Sequence, residues 1–138
     1  MRLGIVASVF NEEISRELLK RARAAAGKLG LADCHVVEVP GALEIPLALQ
    51  WLAQAGRFDA LVAIGCVIRG DTYHFDIVAN ESARGVMDVA LEFGIPIGNG
   101  ILTTEDEAQA QARLDKGAEA VQAAIGMAKL KARLHEDR

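Results

Sequence analysis

Residues 60–75, ALVAIGCVIRGDTYHF, run from a continuous apolar segment through a glycine-punctuated turn into a helical pattern. The run Ala60–Cys66 is apolar on both faces, which is typical of a central strand in a parallel sheet. The helix that follows directs its first backbone N–H groups, and the positive end of its dipole, to one point beside the strand end. Gly70, Asp71 and Thr72 occupy the turn, and His74 adds an imidazole that can move protons near neutral pH. We interpret this junction as an anion-binding site next to a proton carrier.

Outward from this junction, apolar runs alternate with segments of helical periodicity. The predicted strands are Leu3–Ser8, Cys34–Val39, Ala60–Cys66 and Ile95–Leu102. The predicted helices are Ile14–Leu29, Leu43–Ala55, Thr72–Phe93, one that starts at a capping box over Thr104–Glu107, and a last one that carries Val121, Ile125 and Ala128. This alternation predicts an α/β fold in which helices cover both faces of a parallel sheet.

The turns of chemical interest all follow a predicted strand, at residues 8–11, 40–44, 65–74 and 98–104. The carboxyl ends of parallel strands lie at one edge of a sheet, and ligands of such folds bind there. We therefore expect the four turns to meet at one site.

Bulk properties limit the classes of function. The 138 residues form a single predicted domain, 1–138, and the net charge of −4 argues against general affinity for nucleic acid. No apolar run approaches the roughly 20 residues of a membrane span, and Met1 leads directly into a strand pattern without a signal sequence. Cys34 and Cys66 lie in apolar runs and are expected to be buried free thiols, which fits a reducing compartment. We expect a protein of the cytoplasm.

Each candidate residue also has an ordinary structural interpretation. His74 on its own could be a surface histidine, and Gly70–Thr72 could be a simple helix cap. Glu44 could compensate a helix dipole or bind a polyol, and Phe10 could pack on the following helix or stack on a flat heterocycle. Arg113 could neutralise the end of its helix or bind phosphate as a fork.

Five motifs in order along the chain resemble the lumazine synthase family. They are Phe10-Asn11, Gly41-Ala42-Leu43-Glu44-Ile45-Pro46, Val67–Phe75 (VIRGDTYHF), Gly100-Ile101-Leu102-Thr103 and Gln109–Arg113 (QAQAR). The five motifs are spread in register across nearly the whole chain, which makes the resemblance far more specific than any single motif.

The resemblance implies a flavodoxin-like three-layer sandwich around a four-stranded parallel sheet. It also implies condensation of 5-amino-6-(D-ribitylamino)uracil with 3,4-dihydroxy-2-butanone 4-phosphate to 6,7-dimethyl-8-ribityllumazine, the penultimate step of riboflavin biosynthesis. The substrate amine is its own nucleophile and phosphate its own leaving group, so neither a metal nor an organic cofactor is expected.

The resemblance assigns roles residue by residue. His74 is the expected catalytic group. The aminouracil and its ribityl chain are assigned to Phe10, Asn11, Gly41, Ala42, Leu43, Glu44, Cys66, Val67, Ile68 and Asn99. The butanone phosphate is assigned to Gly70, Asp71, Thr72, Arg113 and Lys116.

Two positions depart from the family pattern. Asn99 stands where most members have an aromatic residue over the second face of the heterocycle. The segment between Arg113 and Gly117 is shorter than usual, and Lys116 is taken as the second phosphate-binding lysine.

The family also assembles as pentamers, in some members packed further into decamers or sixty-subunit shells, with active sites between subunits. The short last bend predicts an isolated pentamer, and riboflavin synthase is a further partner that the resemblance suggests.

Two rival functions are a non-catalytic flavin or lumazine binder, suggested by Asn99, and a phosphoacceptor receiver. The receiver would need an acidic cluster after the first strand, where this chain has Ser8-Val9-Phe10.

Overall fold

The computed structural model describes residues 1–31 and 33–136. In chain order the elements are β1 (Leu3–Ser8), α1 (Glu12–Lys28), β2 (His35–Val39), a 3-10 turn (Ala42–Glu44), α2 (Ile45–Gln54), β3 (Ala60–Ile68), α3 (His74–Phe93), β4 (Ile97–Thr104), α4 (Glu107–Gln111) and α5 (Lys116–Glu136).

The strands form one parallel sheet in the order β2-β1-β3-β4. β1 and β3 are central and almost completely buried, as their unbroken apolar sequences predict. β4 lies at one edge and β2 at the other. The predicted α/β, flavodoxin-like fold with a four-stranded parallel sheet is confirmed.

A separate hydrophobic core fills each side of the sheet. On one side α1, α4 and α5 pack through Leu18, Ala110 and Val121. On the other side α2 and α3 pack through Leu49 and Val86. Because side chains alternate along a strand, β1 supplies Ile5 to the first core and Val6 to the second.

Two glycines let α5 approach its neighbours more closely than a side chain would allow. A Cβ on Gly98 of β4 would collide with the backbone of Ala120, and one on Gly117 with the carbonyl group of Leu18. These contacts fix the distance of α5 from β4 and from α1.

Several predicted boundaries were wrong for local reasons. β3 continues to Ile68 and β4 to Thr104, because the two strands stay paired in register to those residues. The helix predicted from Thr72 begins at His74, and the one predicted from Leu43 opens with the 3-10 turn, with Pro46 in the first turn of α2.

The capping box lies two residues later than predicted. Thr104 belongs to β4, and the N-cap of α4 is Asp106, whose Oδ1 accepts a 2.8 Å hydrogen bond from the Gln109 amide. The Gln109 side chain in turn accepts from the Glu105 amide at 2.8 Å.

Cys66 is buried as predicted, whereas Cys34 precedes β2 and is only half-buried; both thiols are free. Within residues 1–31 and 33–136, no helix combines the length and the apolar character needed to cross a membrane.

Candidate active site

The ends of the four strands are joined to one another by hydrogen bonds. The Val9 amide donates to the Val39 carbonyl at 2.9 Å, the Asn11 side-chain amide to the Cys66 carbonyl at 2.8 Å, and the Arg69 amide to the Thr104 carbonyl at 2.8 Å. The loops after β1, β2 and β3 therefore share one edge of the sheet, as predicted. We call the candidate residues on these loops the rim group: Phe10, Asn11, Gly41–Glu44, Cys66–Ile68, Gly70–Thr72 and His74.

The prediction was wrong for residues 98–104, which form the strand β4 rather than a turn. Asn99 pairs in register with Ala63, in the middle of β3. Because strands rise by about 3.3 Å per residue, Asn99 lies roughly 16 Å below the end of the sheet, where Ile68 and Thr104 pair.

The loop after β1 presents Phe10 to the outside. The ring is 67% exposed, so it does not pack on α1, and its open face favours the stacking alternative. The Ser15 hydroxyl donates to the Phe10 carbonyl at 2.8 Å, and Asn11 adopts a left-handed conformation with φ of 52°. These features fix the loop around the exposed ring.

The 3-10 turn after β2 exposes a carboxylate beside backbone. Ala42 and Ile45 are buried and anchor the turn, while Leu43 and Glu44 are exposed. The Glu44 amide donates to the Gly41 carbonyl at 3.2 Å. An exposed carboxylate at this position can accept hydrogen bonds from hydroxyl groups.

The end of β3 contributes backbone rather than a reactive thiol. Burial raises the pKa of the Cys66 thiol to about 11, and the charge of Glu107 acts in the same direction. The thiol is therefore protonated at neutral pH and unsuited to act as a nucleophile.

The loop between β3 and α3 is exposed throughout residues 69–74. The Thr72 hydroxyl oxygen accepts a 3.3 Å hydrogen bond from the His74 amide, the first backbone N–H of α3. His74 is the first residue of that helix, and its imidazole faces outward. Capping and anion binding use the same N–H groups, and an anion can share them with the hydroxyl.

Three further predicted residues lie on β4 and around the α4–α5 turn. Arg113 and Lys116 line a cavity of about 530 Å³ together with Thr103, Thr104, Asp115 and other residues of β4 and the α4–α5 turn. None of its lining residues comes from the loop 69–74. We call Asn99, Arg113 and Lys116 the edge group.

Arg113 and Asn99 of this group form side-chain hydrogen bonds with the backbone of nearby residues. Arg113 donates to the Gln109 carbonyl at 3.0 Å, which satisfies the end of α4 and leaves four of its five N–H groups for other acceptors. Asn99 Oδ1 accepts from the Ile101 amide at 2.9 Å, which leaves the Asn99 NH₂ group as a donor at the sheet edge.

The rim group thus offers an exposed aromatic ring, a carboxylate, backbone groups and an imidazole at a helix start, and the edge group offers two cations. In the described residues, no cluster of three or more His, Cys, Asp or Glu side chains is arranged to hold a metal ion. Sequence reasoning did not single out Ser15 or Arg69, whose side chains contact the loops. Arg69 lies within the motif Val67–Phe75, whereas Ser15 lies in none of the quoted motifs.

Comparisons with known proteins place the chain among relatives of one kind. A family model described as 6,7-dimethyl-8-ribityllumazine synthase matches residues 1–132. The chain is 56% identical to 6,7-dimethyl-8-ribityllumazine synthase of Nitrosomonas europaea over 97% of its length and 84% of the relative. It is 53% identical to the protein of that name from Cupriavidus necator, over 97% of this chain and 82% of the relative. It is 52% identical to the protein of that name from Burkholderia multivorans, over 94% of this chain and 77% of the relative.

Proposed function

The chain belongs to the 6,7-dimethyl-8-ribityllumazine synthase family, and from this premise we propose that it condenses 5-amino-6-(D-ribitylamino)uracil with 3,4-dihydroxy-2-butanone 4-phosphate. The products are 6,7-dimethyl-8-ribityllumazine, inorganic phosphate and water, and the enzyme is a transferase of riboflavin biosynthesis. The observation that carries the proposal is the match across residues 1–132, with the rim group at the one edge of the sheet where ligands of such folds bind. Residues 1–138 act as one domain.

The rim group is assigned to the aminouracil. The exposed ring of Phe10 stacks on the pyrimidine, and the backbone of Cys66, Val67 and Ile68 meets its polar edge. Glu44, with Gly41, Ala42 and Leu43, accepts hydrogen bonds from the ribityl hydroxyl groups. Asn11 serves this site by holding the Phe10 loop on β3 through the Cys66 carbonyl.

The phosphate of the second substrate is assigned to residues of both the rim group and the edge group. Gly70, Asp71 and Thr72 offer backbone and hydroxyl donors at the start of α3, and Arg113 and Lys116 offer positive charge. Because the net charge of the chain is −4, these local donors must supply the affinity.

The chemistry then needs orientation and proton transfer rather than a protein nucleophile. The substrate amine attacks the ketone carbonyl and one water departs, and phosphate is then eliminated. The ribityl-bearing nitrogen of the same aminouracil attacks the remaining carbonyl and closes the ring with loss of a second water. His74 takes protons from the attacking nitrogen and returns them to the departing oxygen. The donors around the phosphate stabilise the leaving group as its charge develops.

We further propose a cytoplasmic homopentamer, not packed into a larger shell, with each active site between two subunits. Two observations support this arrangement. The edge-group cations line a cavity that excludes the rim loop of their own chain. In addition, large apolar side chains are exposed on α2 and α3, including Trp51 at 61% and Leu91 at 76%, which a neighbouring subunit would cover. Riboflavin synthase, which consumes the product, is the proposed functional partner.

A direct test mixes the purified protein with both substrates and follows product fluorescence and released phosphate. The proposal predicts one phosphate per lumazine formed. A protein that binds lumazine but releases no phosphate would instead be the non-catalytic binder that Asn99 suggested. Light scattering after size-exclusion chromatography tests the pentamer, and a sixty-subunit particle would contradict it.

A further inference from the structure

The guanidinium group of Arg69 joins two loops at the end of the sheet. Its Nε lies 2.8 Å from Glu105 in the loop after β4, and its NH1 lies 3.7 Å from Asp76 in the first turn of α3. Its central carbon lies 4.5 Å from the centroid of the Phe75 ring, directly after His74. The side chain therefore contacts both the loop that carries His74 and the segment that leads into α4.

A chain of hydrogen bonds continues from Glu105 to the edge group. The Glu105 amide donates to the Gln109 side chain at 2.8 Å, and the Gln109 amide donates to Asp106 at 2.8 Å. The Gln109 carbonyl accepts from the Arg113 guanidinium at 3.0 Å. Arg69 and Arg113 are thus connected through two intervening residues.

These contacts fix geometry more than they stabilise the fold. The side chains of Arg69, Asp76 and Glu105 are 42%, 38% and 59% exposed, and ion pairs at such exposure add little stability. The planar guanidinium, however, can lie over a ring and within ion-pair distance of two carboxylates in only a narrow range of orientations. The Arg69 amide, bound to the Thr104 carbonyl, fixes the backbone from which the side chain extends.

We propose that Arg69 is a positioning residue that sets the rim loop bearing His74 in register with the α4 segment bearing Arg113. This inference rests on the proposed function, because it assigns Arg69 to the reaction through those two residues. If each pocket lies between subunits, the His74 and Arg113 of one chain serve different pockets, and Arg69 links neighbouring pockets around the ring.

The inference predicts different effects of an Arg69 variant on the binding of the two substrates. The aminouracil residues are held by bonds that do not involve Arg69, namely Asn11 to Cys66 and Ser15 to Phe10. Removing the Arg69 guanidinium should therefore displace the phosphate-binding and proton-transfer groups and leave the aminouracil site in place.

The test compares Arg69→Met with Arg84→Met in assays of the two substrates. Arg84 is the matched control, because it is an exposed arginine with two acidic partners, Glu81 and Asp88, within α3. For Arg69→Met we expect kcat to fall roughly 10- to 100-fold and the KM for the butanone phosphate to rise, since small misplacements of reacting groups cost rates of this order. The KM for the aminouracil should stay within about twofold of wild type.

Two further variants test the geometry itself. Arg69→Lys retains the positive charge but lacks the planar guanidinium group, and it should give an intermediate kcat. Full wild-type activity of this variant would contradict a positioning role. Because Glu105→Gln removes the negative charge of the same ion pair, adding it to Arg69→Met should cause little additional loss. Equal behaviour of Arg69→Met and Arg84→Met, or a matching rise in both KM values, would overturn the inference.

A readout without turnover separates this inference from the proposed function. NMR signals of the His74 ring are followed during titration with inorganic phosphate. In Arg69→Met and Glu105→Gln these signals should lie at shifted positions and should respond less to phosphate. In Arg84→Met they should behave as in wild type. If wild type made no lumazine, the proposed function would fail, and this comparison would still decide whether Arg69 positions the two groups. Unchanged His74 signals and phosphate affinity in Arg69→Met would refute it.

Discussion

At the scale of single residues, His74 carries the proton transfers of the proposed reaction. We expect His74→Ala to lower kcat by about 10²–10⁴-fold, the usual contribution of a general acid or base. The measurement is lumazine formation under saturating substrates. Because the side chain is exposed, circular dichroism should show an unchanged fold.

A matched control is His35→Ala. His35 is also exposed, but it opens β2 at the opposite end of the sheet, next to Phe58. Equal activity losses in the two variants would argue against a catalytic role for His74.

Variants of Asn99 test whether an aromatic ring at this position would contact the second face of the heterocycle. Asn99→Phe should tighten aminouracil binding relative to Asn99→Ala by about 0.5–1.5 kcal/mol, the value of one aromatic pair. Both variants lose the hydrogen bond to the Ile101 amide, so the comparison isolates the ring. Equal aminouracil affinities, measured by calorimetry, would show that residue 99 does not cover the substrate.

Cys66 predicts a pH dependence of stability. Its thiol has a pKa raised to about 11 by burial, whereas in the unfolded chain it ionises near its ordinary value of 9.0. The unfolded state therefore loses a proton first, and the free energy of unfolding falls as pH rises from 9.0 towards 11. The stability difference between wild type and Cys66→Ala, from urea unfolding, should be smaller at pH 10 than at pH 8. A constant difference would contradict the assigned burial.

Residue types alone could identify much of the site but not the contacts that hold it. Phe10 left two interpretations open because its sequence context cannot report exposure, and the structure shows the side chain exposed. Arg69 was hidden for another reason. Its partner Glu105 lies 2.8 Å away in space but 36 positions along the chain, and side-chain pairing at that range leaves no local pattern.

At the scale of elements, α5 contains two glycines with opposite expected effects. Gly117→Ala places a Cβ against the Leu18 carbonyl and should destabilise the fold by roughly 1–3 kcal/mol. Gly126→Ala adds its Cβ in open space and should stabilise the same helix by about 0.5–1 kcal/mol. Chemical denaturation measures both, and two effects of the same sign would contradict the close approach of α1 and α5.

The elements themselves could be predicted where hydrophobic periodicity is strong. β1 has the predicted bounds Leu3–Ser8, and α1 buries Ile14, Leu18 and Ala22 as its spacing indicated. Errors fell at the ends of elements. Thr104 resembles an N-cap in sequence, but its pairing with Ile68 in the sheet keeps it in β4, and such long-range pairing is invisible to local capping rules.

At the scale of the whole molecule, the fold and the family followed from sequence, and both are confirmed. The alternation of β1, β3 and the helices predicted the parallel sheet, and the sheet places the rim loops at one edge. The edge group could not be located in this way, because Asn99 lies within β4 and Arg113 beyond it. In the proposed pentamer, they meet the His74 of a neighbouring chain, which local sequence does not report.

The central claim is that each active site combines the rim group of one subunit with the edge group of another. The most direct test dissociates His74→Ala and Arg113→Ala proteins, mixes them in equal amounts and reassembles them. In a randomly mixed ring about one boundary in four joins an intact His74 to an intact Arg113, so a shared site predicts about a quarter of wild-type activity. Activity that stays at the mean of the two separate variants would contradict the shared site.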